Sequence, residues 1–373
     1  MKKILEASAG IAEVVNNINP QVVCAFPITP QTHIVENLAK LKNDGKAKYE
    51  YVYAESEFGA ASIILGSTVA GSRSYTATSS QGLLLMTEVL FAIGGMKIPC
   101  VIGIANRSVS APLSIWNDQQ DSLTIRDAGW IMFYAETVQE ILDLHIIAFK
   151  VSEKLEIPSM INFDGFILSH VMEPVDMPSK KDIKKYLPKF KYRYKLDPNN
   201  PLTLGGYAGP DNWMEMRKDI HDDLKLSKKV ISQEYEEFYK IFKRKFQLVE
   251  TYGDKKSKIG ILSLGSIMGT VKEAIDKGLK AKAIKLSILR PFPLEELRKA
   301  TKGLDKLIVL DKSISLGTEG IFATEVKSAL FDKNIDIKSV IISLGGKDVS
   351  IDKINKVVKN INNLKSDESN FIL

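Results

Sequence analysis

The sequence predicts an α/β protein built from two parallel-sheet units, on three observations. Continuous apolar strand runs alternate with helical runs through the first half of the chain. That alternation dissolves between about Glu173 and Lys256, and it resumes near Lys258. Uninterrupted apolar strands separated by helices imply parallel sheets covered on both faces. A length of 373 residues is long for one domain and comfortable for two. The expected division is 1–175, an irregular connector with a polar helix over 176–256, and 257–373.

Taken in order, "MKKILEASAGIAEVVNNINP" opens basic and turns amphipathic, with Glu6 and Glu13. It reads as a helix of the mature chain and not as a signal peptide. Gln21–Phe26 reads as a strand, followed by "PITPQT" and a helix through Lys42. "KYEYVYA" is a strand, then a helix runs to Ala70. "RSYTATSS" is a strand and "QGLLLMTEVLFAIGG" one helix. "PCVIGIANR" and "WIMFYAE" are strands, "TVQEILDLHIIAFKVSEKLE" a strongly periodic helix, and "PSMINFDG" a strand. In the connector, "LDPNNPLTLGG" is irregular, and a helix charged on most faces runs from about Asn212 to Phe246. The second unit alternates "KIGILSLGS", "KAIKLSILRPFP", "KLIVLDKS" and "IKSVIISLGG" as strands with intervening helices, in right-handed crossovers.

Composition narrows the classes. Apolar residues make up 45% and charged residues 26%, as in ordinary globular proteins. No apolar run is long enough to span a bilayer, so no membrane role is expected. Two cysteines, Cys24 and Cys100, sit in apolar runs. They argue for a reducing, cytoplasmic setting and against an iron–sulfur cluster held by this chain, which would need four thiolates. The net charge is +6, with the excess concentrated in Met177–Lys195, where lysines interleave with tyrosines. A solvated linker face explains that run more cheaply than a partner-docking surface, and both explain it better than nucleic-acid binding. The histidines His33, His145, His170 and His221 are scattered and show no metal-ligand spacing.

In an open parallel sheet, ligands bind outside the carboxyl ends of the strands. Four sets of residues follow the first four strands: Pro27-Ile28-Thr29-Pro30, Glu55-Ser56-Glu57, Ser79-Ser80-Gln81-Gly82 and Asn106-Arg107-Ser108. A carboxylate, an arginine, hydroxyls and an amide on one edge suit a polar, anionic small molecule. Each set also has a plain structural explanation. Thr29 before Pro30 resembles a helix cap. An acid in a first helical turn suits the helix dipole. Arg107 could pair with Asp118 or Asp121, and Ser80-Gln81-Gly82 could be a tight turn.

The segments "FPITPQT", "ESEFGAA", "TATSSQGLLLM", "ANRSVSAPLSIWNDQQDS", "RDAGWIMFYAE", "FDGFILSH" and "LGGKDVS" occur in this order and cover nearly the whole chain. With them the chain resembles the alpha subunits of pyruvate:ferredoxin oxidoreductase (pyruvate synthase), a branch of the thiamine-diphosphate-dependent 2-oxoacid:ferredoxin oxidoreductases. The resemblance implies a domain that binds the pyrimidine end of thiamine diphosphate, followed by a transketolase C-terminal-like α/β domain. It implies oxidative decarboxylation of pyruvate to acetyl-CoA and CO₂, reversibly, with reduction of ferredoxin.

By position, Glu57 and not Glu55 falls on the family's aminopyrimidine partner, the catalytic carboxyl. A carboxyl there favours the ring tautomer that deprotonates the thiazolium carbon. Pro27 and Ile28 are the accompanying cofactor contacts. Thr29 and Arg107 resemble the hydroxyl and the guanidinium that hold the substrate; a bidentate arginine suits a carboxylate better than lysine does. The "GDG" run that holds Mg²⁺ and the diphosphate in this family is missing, as are cluster cysteines. The resemblance therefore implies that a beta subunit supplies the diphosphate and metal site and a cluster. Gamma and delta subunits would supply the CoA side and further iron–sulfur clusters. "NFDGF" and "SAPLSIWND" look more like the pyruvate branch than the 2-oxoisovalerate or 2-oxoglutarate branches. The chain departs from the family pattern at "WNDQQDS", where a histidine near Gln119 is expected. A non-catalytic, partner-binding subunit is the reading from another class.

Overall fold

The computed structural model describes residues 2–373. Strand β1 (Lys2–Glu6) leads into helix α1 (Ala7–Ile18), then β2 (Val22–Ala25), α2 (Thr32–Asn43) and β3 (Glu50–Tyr53). Helix α3 (Glu57–Val69), β4 (Ser74–Thr78), α4 (Ser80–Leu85), α5 (Thr87–Gly95) and β5 (Val101–Asn106) follow. The short α6 (Gln120–Thr124) precedes β6 (Ile131–Tyr134), α7 (Val138–Leu155) and β7 (Ser159–Asp164). The connector holds β8 (Met172–Asp176), α8 (Lys180–Tyr186) and the long α9 (Pro210–Phe242). Then come β9 (Val249–Gly253), β10 (Ile259–Ser263), α10 (Ile267–Asp276), β11 (Lys282–Leu286) and β12 (Ile288–Arg290). The chain ends with α11 (Leu294–Thr301), β13 (Lys306–Asp311), α12 (Ile321–Ala329), β14 (Asp336–Ile341), α13 (Ile351–Lys359) and β15 (Asn370–Phe371).

These strands form two main sheets and one small ribbon. The first sheet has the order β12-β6-β7-β5-β4-β2-β3. All its pairs are parallel except β12 with β6. The second has the order β15-β14-β13-β10-β11-β9, parallel except for β9 at one edge. The mostly parallel α/β class is therefore observed.

Burial explains the uniform apolar strands. β4, β5, β6 and β7 are buried at every residue, because helices cover both faces. Helix α7 is capped by Thr137, whose hydroxyl accepts the Glu140 N–H at 3.2 Å, and it stops at Glu156 in a left-handed turn. It is wrapped by α1, β7 and α9, so apolar residues all round it are buried. Each fully buried Leu, Ile or Phe there contributes about 1.5–3 kcal/mol.

The structure corrects several local expectations. Residues Lys2–Glu6 are a strand and not the start of a helix; they pair antiparallel with β8 across most of the chain's first half. Thr29 is not a helix cap: α2 starts at Thr32, with Gln31 at its cap position. The helix after β4 breaks at Met86 into α4 and α5. The run "KAIKLSILR" changes sheets at Ser287, so β11 belongs to the second sheet and β12 to the first. A further strand, β15, follows β14.

Candidate active site

Strands β5, β4, β2 and β3 are successive parallel neighbours, so the four residue sets that follow them share one edge. After β2 the chain runs over the edge as Pro27-Ile28-Thr29, with Pro27 and Thr29 exposed and Ile28 half-buried. Gln31 anchors this segment. Its side chain is fully buried, donates to the Ala77 carbonyl in β4 and accepts the Ile28 N–H at 3.2 Å. Pro30 seats against Gly165, where a Cβ would lie 2.5 Å from the proline ring.

After β3 the two acids separate. Glu55 is exposed, Ser56 caps α3 by accepting the Gly59 N–H at 3.1 Å, and Glu57 is 7% exposed. The cap is thus filled by a serine, and Glu57 is left for something else. Among the described residues its carboxylate has no hydrogen-bond partner. It faces Gly82, where an added Cβ would lie 2.6 Å from Glu57 Oε1 and 2.7 Å from Thr78 Oγ1. Thr78 Oγ1 is itself buried without a partner. A buried carboxyl and an orphaned hydroxyl beside a missing side chain leave polar groups that a flat, hydrogen-bonding ring could satisfy. Ala60 and Ala61 keep that wall small.

After β4 and β5 the edge is organised by Asp121, a fully buried carboxylate. It accepts the N–H groups of Ser80, Arg107 and Ser122 at 2.9, 3.0 and 2.7 Å, and the Asn106 amide at 2.8 Å. Burial pushes its pKa up to about 7, against the pull of those four donors. Ser80 takes a φ of 48° at the start of α4, and its hydroxyl bonds the Ser108 carbonyl and Gln81.

Arg107 is 6% exposed, and burial lowers its pKa, with Asp121 acting in the opposite sense. Its side chain pairs with neither Asp118 nor Asp121. Nε donates to the Ser114 carbonyl at 2.9 Å and Nη1 to the Thr29 carbonyl at 2.8 Å. Among the described residues Nη2 has no partner. Thr29 and Arg107 are therefore brought together directly, whereas Glu57 is bonded to neither. Asp121 and Gln31 hold the site's backbone, and sequence reasoning gave neither that role. Asp121 entered only as a pairing partner for Arg107; the signal was its place in "WNDQQDS".

That same loop joins the two sheets. Asn117 donates to the Asn106 carbonyl and to Asp164 Oδ1, both at 3.1 Å. Asp164 pairs with Lys312 at 3.1 Å, both side chains 1% exposed, and accepts the Ser266 N–H at 3.1 Å. Burial alone would raise the Asp164 pKa; Lys312 and Ser266 outweigh it and hold the group below the usual range. Asp118 accepts the Gly345 N–H at 3.1 Å. Gly346, at φ 75°, lies where a Cβ would meet Trp116 at 2.6 Å, which accounts for glycine at that position of "LGGKDVS".

Large apolar side chains on the elements that follow β3, β4 and β5 are exposed. Phe58 beside Glu57, Leu85 in α4 and Leu113 near Arg107 are 40%, 52% and 76% exposed. A groove of about 970 Å³ elsewhere, between α9 and helices α11 and α12, includes none of Glu57, Thr29 or Arg107.

Comparison with known proteins shows the family. The family described as pyruvate flavodoxin/ferredoxin oxidoreductase, thiamine diphosphate-binding, matches residues 13–236. The pyruvate:ferredoxin oxidoreductase core domain II matches residues 257–354. The pyruvate synthase subunit PorA of Methanothermobacter thermautotrophicus is 41% identical, over 97% of this chain and 95% of the relative. The ketoisovalerate oxidoreductase subunit VorA of Pyrococcus horikoshii is 38% identical, over 97% of this chain and 94% of the relative. A solved 2-oxoglutarate:ferredoxin oxidoreductase from Magnetococcus marinus, with 2-oxoglutarate, coenzyme A and succinyl-CoA bound, shares the fold. Its TM-score is 0.73 at 21% identity, and the match covers 96% of this chain and 65% of that one, just under two thirds of its length. With a thiamine diphosphate-binding domain, a domain II and near full-length relatives, the chain belongs to the pyruvate flavodoxin/ferredoxin oxidoreductase family.

Proposed function

We propose that the chain is the alpha subunit of a pyruvate synthase, which oxidatively decarboxylates pyruvate to acetyl-CoA and CO₂, reversibly, and reduces ferredoxin. The observation that carries the chemistry is Glu57, a buried carboxyl without a hydrogen-bond partner, set against the bare backbone of Gly82. Near full-length similarity to a pyruvate synthase subunit supports the substrate.

Bound thiamine diphosphate supplies a nucleophilic carbon and an electron sink for loss of CO₂. This chain's residues do the rest of the work on their side. Glu57 holds the proton at the pyrimidine ring nitrogen. Pro27 and Ile28 line the ring, fixed by Gln31. Arg107 binds the substrate carboxylate through its unpartnered Nη2, and the Thr29 hydroxyl contacts the substrate beside it. Residues 1–175 form the pyrimidine unit, 176–256 the connector and 257–373 the transketolase C-terminal-like unit.

Only half a site lies here. The diphosphate and its Mg²⁺ belong to a beta subunit docking on the exposed apolar side chains of Phe58, Leu85 and Leu113. Iron–sulfur clusters, CoA contacts and ferredoxin docking belong to beta, gamma and delta subunits, since Cys24 and Cys100 are both buried here. Free thiols fit a cytoplasmic complex.

A second reading is the same reaction on 2-oxoisovalerate; the ketoisovalerate subunit is 38% identical against 41% for the pyruvate synthase subunit, so the pyruvate reading leads. A pocket discriminates by only about 1–3 kcal/mol per methylene, so overlap is expected. The test is the complex purified through a tag on this chain, followed by anaerobic viologen reduction with each of pyruvate, CoA, thiamine diphosphate and Mg²⁺ omitted in turn. Reduction that needs pyruvate and CoA is the expected result. Preference for a branched 2-oxoacid moves the branch, and no reduction with any 2-oxoacid by a cluster-replete complex overturns the proposal.

A further inference from the structure

Two of the four histidines that look scattered in the sequence, His33 and His170, come together in the fold. Glu6, His33 and His170 each bring one ligand atom to within 4.8 Å of the others. His33 Nδ1 lies 2.7 Å from Glu6 Oε1, and the His33 and His170 rings sit with centroids 4.4 Å apart at 36°. We infer that Glu6, His33 and His170 form a binding site for a divalent first-row transition metal of the zinc class, outside the candidate active site.

The donor set fits that class. Two imidazoles and one carboxylate suit zinc, iron or nickel, whereas calcium and magnesium take oxygen ligands. Three protein ligands leave one position for water in a tetrahedral zinc site.

The backbone presents these donors from three fixed elements. Glu6 ends β1, where its register partner is Met172. One residue on, Ala7 N–H donates to Val171 O at 3.3 Å. Ser8 then clasps the Ser169 carbonyl with its N–H at 3.1 Å and its hydroxyl at 2.7 Å. The β1–β8 ribbon therefore sets Glu6 beside His170. His33 is the second residue of α2, whose start is pinned by Gln31.

Support behind the ligands is also in place. Ser169, fully buried, lies 2.7 Å from His170 Nδ1 and accepts the Phe166 N–H at 2.8 Å. With Nδ1 engaged there, Nε2 is the ligand atom, and the ring is oriented as outer-shell partners orient metal-binding histidines. Phe166 packs on the same ring at 4.8 Å, and Trp116 packs on Phe166 at 4.9 Å. A metal here would tie α2, four residues past Thr29, to the loop after β7 that already seats Pro30 at Gly165. It would act as a clamp on the segment Pro27–Thr29 and would take no part in the chemistry.

The test uses the full chain, stripped with chelator and titrated with ZnCl₂. The expected result is one zinc per chain, with a rise in the thermal unfolding midpoint as zinc is added. Glu6→Gln, His33→Gln and His170→Gln, all at partly exposed positions, should each abolish that rise. Ser169→Ala should weaken zinc about 10–100-fold. X-ray absorption of the zinc-loaded wild type should show two imidazole ligands. No stoichiometric zinc, an oxygen-only shell, or undiminished binding by the folded His33→Gln/His170→Gln double variant would each overturn the site.

Discussion

Arg107 Nη1 donates to the carbonyl oxygen of Thr29 at 2.8 Å, and this bond joins the strand-end segments of β5 and β2. Nε and Nη1 of the guanidinium are spent on holding the site, and on the proposed function Nη2 binds the substrate carboxylate. Arg107→Lys keeps the charge but loses the fork. The expected result is a rise in the Michaelis constant for the 2-oxoacid equivalent to about 1.5–3 kcal/mol, the worth of a charge-assisted hydrogen bond. Steady-state kinetics on the assembled complex would measure it; an unchanged constant would remove Arg107 from substrate binding.

Glu57→Gln should lower turnover by roughly 10²–10⁴-fold, the usual worth of a positioned acid–base group. The substitution removes no hydrogen bond within the chain, so the unfolding midpoint should stay close to wild type. Full turnover in this variant would reassign the carboxyl.

Gly82→Ala tests the same wall from the other side. The new Cβ would lie 2.6 Å from Glu57 Oε1 and 2.7 Å from Thr78 Oγ1. Overpacking of this kind costs about 1–3 kcal/mol. Thiamine diphosphate affinity should fall while the chain still folds, as fluorescence titration of the complex would show.

Asp121 makes a prediction about pH. Its folded pKa, about 7, lies above the ordinary value of 3.8. The folded state therefore binds the proton more tightly than the unfolded one. This group's contribution to stability is fully present below the ordinary value and is lost as pH rises through about 7. The loss is at most about 1.4 kcal/mol per pH unit for one proton. Urea unfolding across that window should show a smaller decline in Asp121→Asn than in wild type.

Lys312→Met should destabilise the chain by about 3–5 kcal/mol, because it leaves Asp164 charged and buried at the junction of the two sheets. Calorimetry would show a lower midpoint. A midpoint at or above the wild-type value would mean that the junction is held by its apolar contacts alone.

What the sequence revealed and what it hid divide along physical lines. The strand-end sets were legible because burial on both faces leaves a continuous apolar run, and the site residues begin where that run stops. The topology of parallel sheets put the sets of Thr29 and Arg107 on one edge, and only the family resemblance gave the two residues to one substrate. The role of Asp121 was not legible, since a carboxylate that gathers three backbone N–H groups looks the same in sequence as one on a surface. β1 was hidden because "KKILE" has no strand period of its own and is fixed only by a partner at Met172–Asp176. The switch at Ser287 was hidden for a related reason. "KAIKLSILR" runs on without a turn residue, and the switch shows only in Ser287's two bonds, its N–H to the Leu248 carbonyl at 3.1 Å on one side and its carbonyl to the Tyr134 N–H at 2.9 Å on the other.

The placement of β12 has a consequence for anyone who would divide this chain. Ile288 and Arg290 complete the outer edge of a sheet whose other strands all come from the first 164 residues. A fragment ended in the connector would expose Ile131–Tyr134, a wholly buried apolar strand, as a bare edge. Bare apolar edges recruit other chains. The two halves are thus a single cooperative article of manufacture for the cell: made apart, the first piece should self-associate until the second is supplied in trans.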